Sequence, residues 1–148
     1  MLDLQNDRLY YGDLLSPPPG FILEQAIGTT YSLDLSTLLS IPMALHFSEH
    51  PEVNLEQGLI PILEAIQRTS RKLTVFCQKG QIKVPVKQYK LYTWLEPIVQ
   101  EVNLGPHRSF HPKIWVLRFT SEQKNSLYRC IVTSRNLTYD QSGDLVFS

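Results

Sequence analysis

Two runs near the C-terminal end, KIWVLRFT (residues 113–120) and SLYRCIVTS (126–134), flank the polar linker SEQKN, and no other feature of the chain constrains its fold as much. Both runs are dense in β-branched and aromatic residues, the composition of strands. A polar linker of this length joins two strands as an antiparallel hairpin. Any fold for this chain must therefore contain that hairpin and bury at least one of its faces.

The remaining chain alternates between helix and strand signals. Residues 1–20 end in SPPPG, which suits neither a helix nor a central strand, and read as a loosely held arm. Residues 25–33 read as a strand because of the β-branched and aromatic content of GTTYSL. Asp34 or Ser36 can cap a helix over LSTLLSIPMAL, which Pro42 is expected to interrupt or end. SEHPEVN reads as loop, and LIPILEAIQRTS as a helix with Leu59, Ile62, Leu63 and Ile66 at helical spacing. KLTVFC is a short strand, followed by a turn and an extended piece stopped by Pro85. YKLYTWLEPIVQEVN fits a short helix or a strand, with Pro97 dividing the two, and LGPHRSFHP is loop. GDLVFS reads as a further strand that stops without a turn, which suggests the front part of a longer protein. Interleaved helices and strands give an α/β class, a mixed β-sheet flanked by helices.

At 148 residues the chain has the size of one domain. It holds no apolar run of about 18 residues, so no membrane span is expected, and its acidic start does not resemble a signal peptide. Cys77 and Cys130 sit in apolar runs without metal-binding spacing, and read as buried thiols in a cytoplasmic protein. The formal net charge of zero conceals a segregation: residues 1–67 carry Arg8 against nine acids, and residues 68–135 carry thirteen bases against three. Either one face carries positive potential for an anionic partner, or the two halves neutralise each other across the fold.

The hairpin's approach, SFHPKIW, holds the residues with chemical potential. His111 and Lys113 are two apart, so on a strand they share a face. Pro112 between them is compatible with a strand start or edge. An ammonium next to an imidazole disfavours a second positive charge and leaves the ring nucleophilic, while the ammonium itself can hold a phosphate oxygen. Past the second strand stand Thr133, Ser134 and Asn136. Hairpin pairing brings them back towards His111 and Lys113, adding a hydroxyl and an amide to the same place.

HPK followed by TSRNLT resembles the phospholipase D superfamily, whose motif runs HxK, a strand, then GSxN or GSxxN. His111, Lys113, Ser134 and Asn136 match it position by position, over residues 109–144. Thr133 replaces the usual glycine, and Arg118 stands where the family has an aspartate, as in the tyrosyl-DNA phosphodiesterase branch, which also lacks that acid. The resemblance implies a domain over residues 21–148 and a metal-independent phosphodiesterase or nuclease working through a phosphohistidine. It also implies a second HxK motif, supplied by another half of a longer chain or by a homodimer partner. Asp144 is then the candidate acid behind His111, with Asp34 a poorer one. The alternative is a degenerate half that binds nucleic acid or a partner without chemistry; a lipid headgroup suits the basic half less well.

Lys79, Lys83, Lys87 and Lys90 recur close to Tyr89, Tyr92 and Trp94, an arrangement suited to phosphate contact and base stacking or to a solvated strand edge. Arg108 and Arg135, beside the motif, join them as candidate contacts to nucleic acid, with DNA the expected form. His107 and His111 have the spacing of two helical zinc ligands, but Pro106 and Pro112 oppose a helix, and neither metal nor cofactor is expected. His46 and His50 read as surface residues, and Trp115 either walls the site or belongs to the core.

Overall fold

The computed structural model describes residues 14–49, 59–85, 90–138 and 146–147. Its centre is a six-stranded mixed sheet. Strand β1 (Phe21–Thr30) leads to a short β2 (Leu33–Asp34), then helices α1 (Leu35–Glu49) and α2 (Leu59–Ser70). β3 (Leu73–Gln78), a short β4 (Ile82–Lys83), a 3₁₀ helix (Lys90–Ile98) and β5 (Val99–Val102) follow, then β6 (Ile114–Ser121), β7 (Ser126–Thr133) and β8 (Val146–Phe147). The sheet order is β5-β3-β1-β6-β7-β8, and β2 and β4 form a separate parallel pair. β1, β3 and β5 run parallel, while β6, β7 and β8 join in antiparallel fashion.

The hairpin forms as its sequence requires, with Ile114 opposite Val132 and Thr120 opposite Ser126. β1 starts at Phe21 and ends at Thr30, earlier at both ends than the strand signal at 25–33. A register shift between Leu23 and Gln25 explains the displacement. The bulge sets polar Glu24 and Gln25 side by side and breaks the period-two pattern that marks a strand. α1 continues through Pro42 to Glu49. An interior proline costs about 3 kcal/mol; Pro42 is itself buried, and past it the helix buries Leu45 and His46, contacts that ending the helix at the proline would forgo.

One face of the sheet packs under the helices. Leu23, Ala26, Val75, Cys77, Trp115, Leu117, Phe119 and Ile131 lie there, joined by Leu38, Ile41 and Ile66 from α1 and α2. Trp115 is core, only 2% exposed. Its ring covers Gly28 so closely that a Cβ there would fall 2.7 Å from it, and Gly28 is the partner opposite Trp115 in the ladder. Leu15, from the stretch expected to be a loose arm, is also fully buried. Arg129 holds it in place, donating from Nη1 to the carbonyls of Leu14 (2.6 Å) and Ser16 (2.9 Å).

Three further positions differ from expectation. Cys77 is buried but Cys130 is exposed, because alternation in β7 turns Cys130 away from buried Ile131. His46, expected on a surface loop, is buried within α1, since that helix runs on past Pro42. The ambiguous segment at Pro97 resolves into a 3₁₀ helix followed by β5. No helix among the described residues is long and apolar enough to cross a membrane.

Candidate active site

Ligands of open α/β sheets bind beyond the C-terminal ends of the parallel strands. In this chain β1 ends there at Thr30 and β3 at Gln78. Because β6 is antiparallel to β1, with Gly28 opposite Trp115, β6 begins at that same end. β7 returns to it and stops at Thr133. His111 and Lys113 lead into β6, and Ser134 and Asn136 leave β7, so all four sit at one end of the sheet. The Thr133 N–H donates to the Lys113 carbonyl at 2.9 Å, which extends the hairpin into the motif.

The two motif side chains that precede β6 meet directly. The Lys113 ammonium donates to His111 Nδ1 at 2.9 Å and lies 3.3 Å from Nε2. His111 is exposed, and its ring packs against that of Tyr31, centroids 4.9 Å apart and planes tilted by 39°. The backbone N–H of Tyr31 donates to Asn136 Oδ1 at 3.3 Å. With Oδ1 engaged, the Asn136 amide presents its two N–H donors as the group an anion can use. Tyr31 thus touches His111 with its ring and Asn136 with its backbone.

Behind this surface Thr30 is fully buried. Its hydroxyl donates to the Ser32 carbonyl at 2.8 Å and accepts the Leu137 N–H at 2.9 Å. One hydroxyl has one proton to give, so its 3.5 Å approach to Asn136 Oδ1 adds proximity more than a bond. Thr29 clasps the start of β6: its hydroxyl accepts the Ile114 N–H at 2.9 Å and donates to the Ile114 carbonyl at 3.1 Å. Gln78 Oε1 accepts the Phe110 N–H at 2.6 Å and fixes the loop that delivers His111. Thr29, Thr30, Tyr31 and Gln78 are supports that sequence reasoning missed. GTTYS carried a strand signal, and nothing in it marks the ends of side chains that hold a loop eighty residues away.

The other candidates fall in different places. Ser134 is exposed and Arg135 half-buried just past β7, where the Arg135 carbonyl accepts from the Thr133 hydroxyl at 3.3 Å. Asp34 accepts the Ser36 N–H at 2.8 Å and caps α1. It is therefore occupied at the helix start. Arg118, at the position of the family aspartate, pairs with Glu24 at 2.9 Å on the opposite face of the sheet from Trp115. Lys79, Lys83, Lys90 and Arg108 are exposed. His107 occupies a left-handed turn at φ 62°, and among the described residues no three His, Cys, Asp or Glu side chains come together as a metal site. Asp144 and Lys87, with His50 and Tyr89, lie outside the described residues.

No protein-family model, curated protein or solved structure matches this chain. The likeness to the phospholipase D superfamily accordingly rests on four motif residues and on their placement at one end of the sheet.

Proposed function

We propose that this chain is half of a phospholipase D-type phosphodiesterase that cleaves nucleic acid. The observation that carries the reading is Tyr31, which meets His111 with its ring and Asn136 with its backbone N–H, while Lys113 stands beside the imidazole. A phosphodiester entering there takes the Lys113 ammonium and the Asn136 amide on its non-bridging oxygens. A ring nitrogen of His111 then attacks phosphorus in line, forming the P–N bond as the P–O bond to the leaving group breaks. The leaving oxygen takes its proton from the histidine of a second HxK motif, held by another half of a longer chain or by a second copy. Water next attacks the phosphohistidine, the P–N bond breaks, and the water's proton passes to that second histidine. The charge on the phosphoryl oxygens is met by the Lys113 ammonium and the Asn136 N–H donors, so the scheme calls for no metal. The half-exposed Arg118–Glu24 pair has its own partner and plays no part.

His111→Ala in the native assembly is expected to abolish cleavage of an oligonucleotide while leaving its binding in place, and cleavage is expected to persist in EDTA. Denaturing the wild-type protein during turnover of a ³²P-labelled diester should leave acid-labile label on His111. Binding without any such label would favour the alternative, a half that holds nucleic acid without chemistry.

A further inference from the structure

A second recess lies close to this site. It encloses about 310 Å³ and is lined by Leu35, Ile82, Val84, Tyr92, Thr93, Glu96 and Val99. The volume is that of a small-molecule pocket. Its walls are aliphatic with one aromatic ring, and its polar residues are few: Tyr92, whose hydroxyl lies 3.2 Å from Ser36 Oγ, and the exposed Thr93 and Glu96, with the Thr93 hydroxyl donating to the Lys90 carbonyl at 2.7 Å.

Two strand steps connect the recess to Asn136. Leu137, the next residue, bridges to Leu33 of β2, and its carbonyl accepts the Asp34 N–H at 2.7 Å. β2 in turn pairs with β4, Leu33 with Ile82 and Asp34 with Lys83. Adjacent strands are about 4.8 Å apart, so β4, which contributes Ile82 to the recess, lies about 10 Å from the chain at Leu137. Leu35 follows β2 directly and Ile82 belongs to β4, which fixes the walls to the elements that carry the site.

Exposed cations stand on the segments that line the recess, and none of them is part of its lining. Ile82 and Val84 line it, so Lys83 between them projects from the other side of the strand. Lys90 heads the 3₁₀ helix that contributes Tyr92, Thr93 and Glu96. Both lysines are exposed, and exposed Lys79 stands at the end of β3. A phosphate would find its partners among these exposed lysines, and the apolar lining offers it none. An aromatic heterocycle with N–H groups on its edge suits the interior instead: its face meets Tyr92 and its edge donates to Glu96.

We infer that this recess is a subsite for one unpaired nucleobase of a single-stranded substrate, placed beside the phosphate held at Lys113 and Asn136. The inference rests on the proposed nucleic-acid function and sharpens it, because a base locked in a duplex cannot enter. Phosphates flanking the base lie along Lys79, Lys83 and Lys90, and the base itself supplies the strand preference.

The test compares two single-stranded DNA oligonucleotides of equal length, one normal and one abasic throughout, by fluorescence anisotropy with the full protein. The normal strand is expected to bind roughly ten-fold or more tightly than the abasic one. Tyr92→Ala should bring the normal strand close to the abasic level and leave the abasic strand unchanged. Val84→Ser, an uncharged change at a position 55% exposed and outside the core, should cause the same selective loss if Tyr92→Ala folds poorly. Equal affinity of wild type for both strands, or equal weakening of both by the variants, overturns the inference. His111→Ala, assayed for cleavage of the normal strand, separates the two ideas. If that variant cleaves normally while the base-dependent difference persists, the catalytic reading falls and the subsite stands. If it loses cleavage while both strands bind wild type equally, the subsite falls and the catalytic reading stands.

Discussion

The two faces of the central sheet are built from the same strands and have opposite fates. On one, Trp115, Leu117 and Phe119 of β6 are buried against the helices. On the other, Ile114 and Val116 of the same strand are 36% and 43% exposed, and Ile27, Ile22 and Val132 beside them are 37%, 56% and 54% exposed. Both faces are apolar, so KIWVLRF reads as a continuous run of the kind found in strands covered on both sides. The contrast shows that apolar composition determines that a strand exists, while the neighbouring helices determine which of its faces is sealed. The candidate site lies past the end of the sheet at which β1 finishes, beyond fully buried Thr30.

The contrast can be broken most forcefully at Trp115. Trp115→Ala should cost about 3–5 kcal/mol in a denaturant titration, because its ring is buried and fills the space over Gly28. The two cysteines probe the same contrast chemically. Burial, reinforced by the charge of Glu101 opposite it in the ladder, raises the Cys77 thiol from its ordinary 9.0 to about 11. At pH 8 its thiolate fraction falls about 100-fold, so iodoacetamide followed by mass spectrometry should label exposed Cys130 and spare Cys77. The same proton binds more tightly in the folded chain than in the unfolded one. This contribution to stability is complete below pH 9 and fades as pH rises towards 11.

Smaller effects sharpen the picture. Thr30→Val keeps the shape and removes the hydroxyl, leaving the buried Leu137 N–H without its acceptor. A loss of about 1–3 kcal/mol is expected, together with weaker oligonucleotide binding, since Asn136 precedes Leu137. Ile27→Ser on the open face should change stability by no more than about 0.5 kcal/mol. A loss approaching that of Trp115→Ala would show that the open face is sealed in the native assembly.

Much of the architecture was legible because it depends on local composition: the hairpin, the helix at LIPILEAIQRTS and the strand at KLTVFC all stand where their residues place them. The start of β1 was hidden by a bulge, and the full length of α1 by a proline past which the helix goes on burying residues. At the site, His111 and Lys113 do meet, as expected of residues two apart, although both lie just before β6, which begins at Ile114. The roles of Thr29, Thr30, Tyr31 and Gln78 were not legible, because each acts across the fold on residues far away in sequence. Cys130 and His46 were misjudged for a related reason: an apolar neighbourhood in sequence does not tell which side of a strand is sealed, nor how far a helix extends.

The buried hydrogen bond from Leu137 to Thr30 gives the molecule a built-in reporter. A backbone amide held by a fully buried hydroxyl exchanges its hydrogen with solvent only when the segment after β7 lifts away from β1. The deuterium uptake of Leu137 therefore times the opening of the loop that carries Asn136, residue by residue and without any substrate. On the proposed function, a phosphodiester bridging Lys113 and Asn136 would hold that loop shut and slow this one amide more than its neighbours in the sheet.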